Sequence, residues 1–133
     1  MEHKIRLEVV TPYGVVMSED VDEITATGSE GEFGVLAGHA NLITTLKIGS
    51  MQVRSGSKTE YLFVNTGYAE VSPDKVIVLA DSAEKVEDID IERAMEAKKR
   101  AEERLRQQEN IDFARANAAL QRATTRIALI SRK

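Results

Sequence analysis

Residues 76–100, VIVLADSAEKVEDIDIERAMEAKKR, decide the fold because the character of the chain changes within them, near Glu84. Residues 1–84 are interrupted by glycine and rich in β-branched residues, a composition that favours strands. Residues 85–133 contain no Gly and no Pro and are rich in Ala, Lys, Arg, Glu and Gln, which favour helix. The sequence therefore predicts a β domain over residues 1–84 and a helical arm over residues 85–133.

The charge of the chain changes at the same place. Residues 1–84 carry 6 basic and 13 acidic side chains, whereas residues 85–133 carry 12 basic and 9 acidic ones. No acidic residue follows Asp112, so the last part of the arm is purely cationic. The net charge of −4 argues against general nucleic-acid binding. The asymmetry predicts instead that the arm has its own task and an acidic partner.

Composition excludes several classes of protein. The chain has no cysteine, which excludes disulfides, thiol nucleophiles and cysteine-ligated zinc and is consistent with a reducing compartment. No apolar run approaches the roughly 18 residues of a membrane span, and the start MEHKIRLEVV lacks the pattern of a secretory signal. The phosphate-loop, serine-hydrolase and metal-ligand motifs of enzymes are missing as well. We therefore expect a non-catalytic protein, either cytoplasmic or docked to another molecule.

Short apolar segments with a period of two recur through the first part of the chain, separated by glycines and by Ser72-Pro73-Asp74. The predicted strands cover residues 5–9, 15–17, 21–27, part of 32–39, 42–46, 51–54, 59–65, 68–71 and 75–79. Many short strands with turn residues between them are typical of an all-β sandwich or barrel.

The arm follows a helical period. Its apolar positions step by three and four residues along two seams, which are Ala94, Ala97, Ala101 and Leu105, and Phe113, Ala116, Leu120, Ala123, Ile127 and Ile130. Residues 107–112 interrupt the two seams, so an antiparallel helical hairpin is predicted. Asp88 or Asp90 would cap the first helix, and Asn110 or Asp112 the second. Because the seams are rich in alanine, we expect a weakly held arm that can leave the β domain.

Five segments in this order carry a resemblance to a known family, and they are residues 10–12 (VTP), 31–40 (GEFGVLAGHA), 65–71 (NTGYAEV), 78–81 (VLAD) and 88–94 (DIDIERA). Over essentially its whole length the chain resembles the epsilon subunit of bacterial F-type ATP synthase. It departs from that family at Ala37 and Asn41, where proline is usual, and at Thr66, where Gly-Gly is frequent. These departures affect the expected loop conformations.

The resemblance implies a ten-stranded β-sandwich followed by an antiparallel two-helix hairpin. It implies a non-catalytic rotor subunit of a proton-translocating synthase, peripheral to the cytoplasmic face of the bacterial cell membrane. The sandwich would join the gamma subunit to the ring of c subunits. The arm would lie folded on the sandwich, or extend toward the catalytic head and restrain ATP hydrolysis. No cofactor is required, and ATP is implied as a possible regulatory ligand.

The glycine-rich segment 31–42 has two interpretations. On composition alone it is a turn between strands. The resemblance places it, with Glu32 and His39, at the edge that faces the polar loops of the c ring. His3 is the only other histidine, so no histidine metal cluster is predicted.

Arginines recur at helical spacing in the arm. Arg93, Arg100 and Arg104 share one helix face, and Arg115, Arg122 and Arg126 share another. Such faces are commonly just solvated. Guanidinium groups without nearby acids also suit a carboxylate-rich partner or phosphate groups. The resemblance implies both kinds of partner. An acidic segment of the catalytic beta subunit would contact Arg115, Arg122 and Arg126, and ATP would supply the phosphate groups.

ATP binding is implied by a short motif, I/L-D-x-x-R-A. The residues that match the motif and its accompanying positions are Ile89, Asp90, Arg93 and Ala94, with Glu84, Arg100, Arg122 and Arg126. Two alternatives remain open. One is a stand-alone ATP sensor, and the other is an adaptor that dimerises through the second helical seam.

Overall fold

The computed structural model describes residues 4–107 and 112–132. Within them the chain forms seven strands followed by helices. The strands are β1 (Ile5–Thr11), β2 (Gly14–Val21), β3 (Glu23–Gly28), β4 (Gly31–Leu36), β5 (Leu42–Ser55), β6 (Lys58–Val71) and β7 (Lys75–Lys85). A short 3-10 helix (Val86–Asp88) leads into α1 (Ile91–Arg106) and α2 (Phe113–Ile130).

All seven strands belong to one hydrogen-bonded sheet in the order β2-β1-β7-β6-β5-β3-β4. Neighbouring strands are antiparallel except β1 and β7, which are parallel. Strand β2 contacts β5 although three strands separate them in this order, because the sheet folds over into two layers. Alternate apolar side chains from every strand meet between the layers in one core cluster. The predicted β-sandwich is therefore confirmed.

The ten-strand count is not confirmed, since the described residues form seven strands. Strand β5 runs through two of the predicted segments, 42–46 and 51–54, and β6 runs through 59–65 and 68–71. The glycines that were expected to end these segments lie inside the strands. A Cβ atom on Gly49 would come within 2.8 Å of Cβ of Thr27, and one on Gly67 would collide with the carbonyl oxygen of Leu79. Both glycines permit close packing of the backbone rather than a turn.

Carboxylates begin both helices of the arm. Oδ1 of Asp90 accepts a hydrogen bond from the N–H of Arg93 at 3.1 Å, and Oδ1 of Asp112 accepts one from the N–H of Arg115 at 3.0 Å. Of the two residues predicted as possible caps of the first helix, Asp90 is therefore the cap and Asp88 is not. Asn110, the alternative cap of the second helix, lies outside the described residues.

The arm lies folded on the sandwich, and α2 is the helix in contact with it. Helix α2 packs on β5, β6 and the 3-10 helix, while α1 packs mainly on α2. A second apolar cluster joins arm and sandwich, with Phe63, Val86, Ile89 and Leu129 at its centre. Between the helices the fully buried residues are alanines, namely Ala94, Ala101, Ala116 and Ala123. Neither described helix has the length and apolarity that crossing a membrane requires.

Candidate functional site

A cavity of about 520 Å³ lies between the two helices of the arm and the end of β7. Both helices and the connection before α1 contribute to its wall. The lining residues are Ser82, Glu84, Asp88, Asp90, Arg93, Ala94, Ala97, Arg100, Ala101, Arg104, Ala119, Arg122 and Arg126. We call this space the arginine cavity.

Helical spacing explains why five arginines face one cavity. Arg93, Arg100 and Arg104 are seven and four residues apart on α1, and Arg122 and Arg126 are four residues apart on α2. Small alanine side chains between them leave the space open. With three carboxylates in the same wall, the lining carries an excess of positive charge.

Arg126 is the arginine of the cavity that contacts the sandwich. Its Nε donates a hydrogen bond to Oε1 of Glu84 at 2.6 Å, which joins α2 to the end of β7. Its Cζ lies 4.2 Å from the centroid of the Phe63 ring on β6. The ring face attracts the cation, so one guanidinium group makes an ion pair and a cation–π contact together.

The other four arginines of the cavity form no ion pair with any described residue. Several guanidinium groups therefore border one space without neutralising partners in the part of the chain described. A guanidinium donates two parallel N–H groups to a phosphate or carboxylate. The arrangement suits a polyanionic ligand small enough to fit between two helices.

Most of the residues predicted to bind nucleotide lie around this cavity. Seven of the eight line it, from Glu84 on β7 to Arg126 on α2. Ile89 does not, because its side chain is buried in the cluster between arm and sandwich. The helix periodicity that placed Arg100 also places Ala97 and Arg104, which were not predicted as ligand contacts. Ser82 and Asp88 were not predicted as ligand contacts either, and the fold brings them to the cavity.

The residues predicted to contact partners are dispersed. Glu32 pairs with Thr27 near the start of β4 and lines a second cavity of about 250 Å³, beside Arg132. His39 follows the other end of β4, where its Nδ1 lies 2.7 Å from the carbonyl oxygen of Ala40. The structure therefore does not bring Glu32 and His39 together.

Arg115 lies exposed in the first turn of α2 and does not line the arginine cavity. Arg122 and Arg126, with which it was grouped, do line it. No group of three or more His, Cys, Asp or Glu side chains suited to a metal ion occurs among residues 4–107 and 112–132.

The sandwich carries an exposed apolar face, in which Val15, Ile43, Tyr68 and Leu79 are exposed and Val10 is half-buried. Register pairs Tyr68 with Leu79, Leu79 with Val10, and Val10 with Val15, so these side chains form a row across β6, β7, β1 and β2. Ile43 on β5 adds to the same end and is 72% exposed. Contiguous apolar surface of this kind marks an interaction site more often than chance exposure. Alternation along each strand does not reveal this face, because it depends on which strands lie side by side in the sheet.

Two family models together match almost the whole chain. The beta-sandwich domain of the ATP synthase delta/epsilon chain matches residues 4–86, and its long alpha-helix domain matches residues 87–131. An ATP synthase epsilon chain from Nitratidesulfovibrio vulgaris is 55% identical over 128 residues, which cover 96% of each chain. One from Thermodesulfovibrio yellowstonii is 56% identical over 106 residues, covering 80% of this chain and 76% of the relative.

A solved structure shows the same architecture. A chain in the cryo-EM structure of the Euglena gracilis mitochondrial ATP synthase, containing OSCP, F1 and the c-ring, superposes with a TM-score of 0.85. It is 26% identical in sequence, and the match covers 98% of this chain and 83% of that one. Sequence and structure agree over both the sandwich and the hairpin, and the chain therefore belongs to the ATP synthase delta/epsilon-chain family.

Proposed function

We propose that this chain is the epsilon-type, non-catalytic subunit of the central stalk in a proton-translocating F-type ATP synthase. Full-length similarity to ATP synthase epsilon chains supports this role. So does the similarity to a chain within an assembly that contains F1 and a c-ring. In this role the chain resides at the cytoplasmic face of a bacterial cell membrane and is held there through the complex.

The exposed apolar face is the surface proposed to bind the gamma subunit. Leu79 lies inside its row, between Tyr68 on β6 and Val10 on β1. A rigid apolar sheet surface is suited to a stable protein contact. Contact with the c ring is proposed for Glu32 and His39. Because they lie at opposite ends of β4, they would reach different parts of the ring.

The contact with the ring can be tested by cross-linking, since the chain has no cysteine of its own. Glu32→Cys and His39→Cys would each be assembled with the complex and oxidised against cysteines in the polar loops of the c subunits. The proposal expects a cross-link from each position, to different loop residues. No cross-link from either position would contradict it.

The observation that carries the regulatory proposal is the arginine cavity of the folded arm. ATP is proposed to bind there, with Arg93, Arg100, Arg122 and Arg126 on its phosphates. Bound ATP would favour the folded arm only to the extent that its affinity for that state exceeds its affinity for the extended one. In the extended arm, Arg115, Arg122 and Arg126 would contact an acidic segment of the catalytic beta subunit and restrain hydrolysis. Arg122 and Arg126 cannot serve both partners at once.

Calorimetry of the isolated chain with ATP tests the ligand. Arg100→Ala and Arg122→Ala should each weaken binding about tenfold to a hundredfold, since a hydrogen bond to a charged group contributes about 1.5–3 kcal/mol. Arg106→Ala is the matched control, because Arg106 is exposed in the last turn of α1 and does not line the cavity. Absence of any heat with millimolar ATP would remove the proposal.

Hydrolysis by the assembled catalytic head tests the regulation. Deleting residues 85–133 should release the restraint, and unchanged hydrolysis would leave only the coupling role. A stand-alone ATP sensor is the second candidate, favoured by a cavity built wholly from this chain. Co-purification with the gamma subunit supports the stalk subunit, and a chain that binds ATP but never gamma supports the sensor.

A further inference from the structure

Arg126 is held by the sandwich before any ligand is present. The aromatic ring of Phe63 is 0% exposed and lies under the guanidinium, with 4.2 Å between Cζ and the ring centroid. Glu84 accepts the hydrogen bond from Nε. A planar cation held on one face and through Nε has few orientations left to it.

Arg126 lines the arginine cavity and has donors left for a ligand. Its four Nη hydrogens make no hydrogen bond to another described residue, while its side chain lines the cavity. Phe63 itself does not line the cavity and has no polar atom to offer a ligand. Phe63 therefore acts on an anion in the cavity either through Arg126, whose guanidinium contacts its ring, or through the packing of the arm on the sandwich.

We propose that Phe63 is a positioning residue of the nucleotide site, which holds the Nη donors of Arg126 toward the phosphate groups of the ligand. The proposal rests on ATP binding in the arginine cavity and extends that site into the sandwich. A ligand that binds the guanidinium better when it is held in this position favours the contact of α2 with β6, because it selects the docked arrangement. Ligand binding and docking of the arm are thereby coupled through the ring of Phe63, alongside the ion pair with Glu84.

A second pair of side chains in the same interface supplies a matched control. Tyr61 lies two residues before Phe63 on β6, and Cζ of Arg132 lies 5.5 Å from the centroid of its ring. Arg132 does not line the arginine cavity, and both Tyr61 and Arg132 belong to the smaller one. Loss of the Tyr61 ring therefore weakens a similar contact, between the sandwich and the turn that follows α2, without touching the nucleotide site.

The test is calorimetry of ATP with wild type, Phe63→Leu and Tyr61→Leu. Leucine keeps an apolar side chain in the buried position and removes the ring face. We expect Phe63→Leu to raise the Kd for ATP about tenfold, because the variant loses a desolvated cation–π contact that holds Arg126. Tyr61→Leu should leave the Kd within about twofold, the usual effect of a change outside a site. If Phe63→Leu does not fold, Phe63→Met serves in its place with the same expectation.

A double-mutant cycle with Arg126→Gln separates positioning from packing. In the Arg126→Gln background, Phe63→Leu should have no further effect on the Kd. In wild type, the Nε–Hε resonance of Arg126 should carry a ring-current shift that Phe63→Leu abolishes and Tyr61→Leu preserves.

Three results would overturn the inference: an unchanged Kd for Phe63→Leu, an equal loss for Tyr61→Leu, or the same loss with and without Arg126. Absence of ATP binding by wild type would instead remove the proposed function on which the inference rests.

Discussion

The sandwich and the arm differ in how they are held together. The core of the sandwich consists mainly of Val, Leu and Ile side chains, drawn from all seven strands, and all of its members are buried. The helices of the arm bury four alanines against each other and share one small apolar cluster with the sandwich. Burial of a Val, Leu or Ile side chain stabilises a fold by about 1.5–3 kcal/mol, and an alanine contributes far less. We therefore expect the sandwich to be the rigid part of the molecule and the arm to be the part that can detach.

The largest expected effect comes from deleting a side chain in the sandwich core. Leu62 on β6 is 0% exposed, so Leu62→Ala should lower the free energy of unfolding by about 2–5 kcal/mol. The same change at Leu105, half-buried on α1, should cost about 1 kcal/mol or less, because less apolar surface is lost. Urea denaturation measures both. Equal losses would show that the arm is as firmly packed as the sandwich.

A glycine in the sandwich should give the next largest effect. Gly67 has a φ of +147°, and a Cβ there would collide with the carbonyl oxygen of Leu79 on β7. Gly67→Ala should cost about 2–4 kcal/mol, since backbone strain and overpacking add. Gly31 has a φ of +120° with nothing near the Cβ position, so Gly31→Ala should cost only the strain, about 1–2 kcal/mol. If the two variants unfold at the same urea concentration, close packing is not the role of Gly67.

These glycines show where sequence reasoning reached its limit. Alternation indicated where strands occur but not where they end, since a glycine in a turn and a glycine at a close approach look the same in one sequence. Gly49 and Gly67 were therefore interpreted as ends of strands. Thr66 shows the same limit. Its φ of +45° is supported by a hydrogen bond of 2.8 Å from its hydroxyl group to Asp81. Local sequence does not indicate a partner that lies fifteen residues away.

The arginine cavity was more predictable than the strand count. Helical spacing alone places Arg93, Arg100 and Arg104 on one face, and the family motif supplies Glu84 and Arg126. The sequence does not show which side chains from distant segments meet in the tertiary structure. The aromatic partner of Arg126 lies on β6, and nothing in the spacing of residues predicts which ring meets which helix.

An intermediate effect is expected at the contact between arm and sandwich. Glu84→Gln removes the charge opposite Arg126, and both side chains are partly exposed, so docking of α2 should weaken by only about 0.5–1 kcal/mol. Hydrogen exchange in the second half of α2 should accelerate about fivefold at most, while exchange in the strands stays unchanged. Glu87→Gln is the control, since Glu87 is exposed on the 3-10 helix and forms no ion pair with a described residue. Exchange that is equally slow in arm and sandwich in wild type would contradict the weakly held arm.

The smallest effect concerns pH and is confined to the sandwich. A hydrogen bond from Lys4, with Nζ 2.7 Å from Oδ1, is the main reason why the pKa of Asp22 lies below its usual 3.8. The N–H of Gly56, which donates to Oδ2 at 2.6 Å, lowers this pKa further. Since the folded pKa is the lower one, the stability it contributes is present above the unfolded pKa. It is lost as pH falls from about 4 through the folded value.

Asp22→Asn keeps an oxygen for Gly56 but has no charge to titrate, so its acid denaturation should depend less steeply on pH below about 4. Lys4→Met removes the main cause of the lowered pKa and should act in the same direction. Because both changes remove the same contact between Lys4 and Asp22, the acid-unfolding midpoint of the double variant should match that of Asp22→Asn alone. The midpoint of acid unfolding, followed by circular dichroism, measures all three variants. Additive shifts would show that Lys4 and Asp22 act separately. Because Asp22 joins the start of β1 to the turn after β5, acid should loosen this end of the sandwich without releasing the arm.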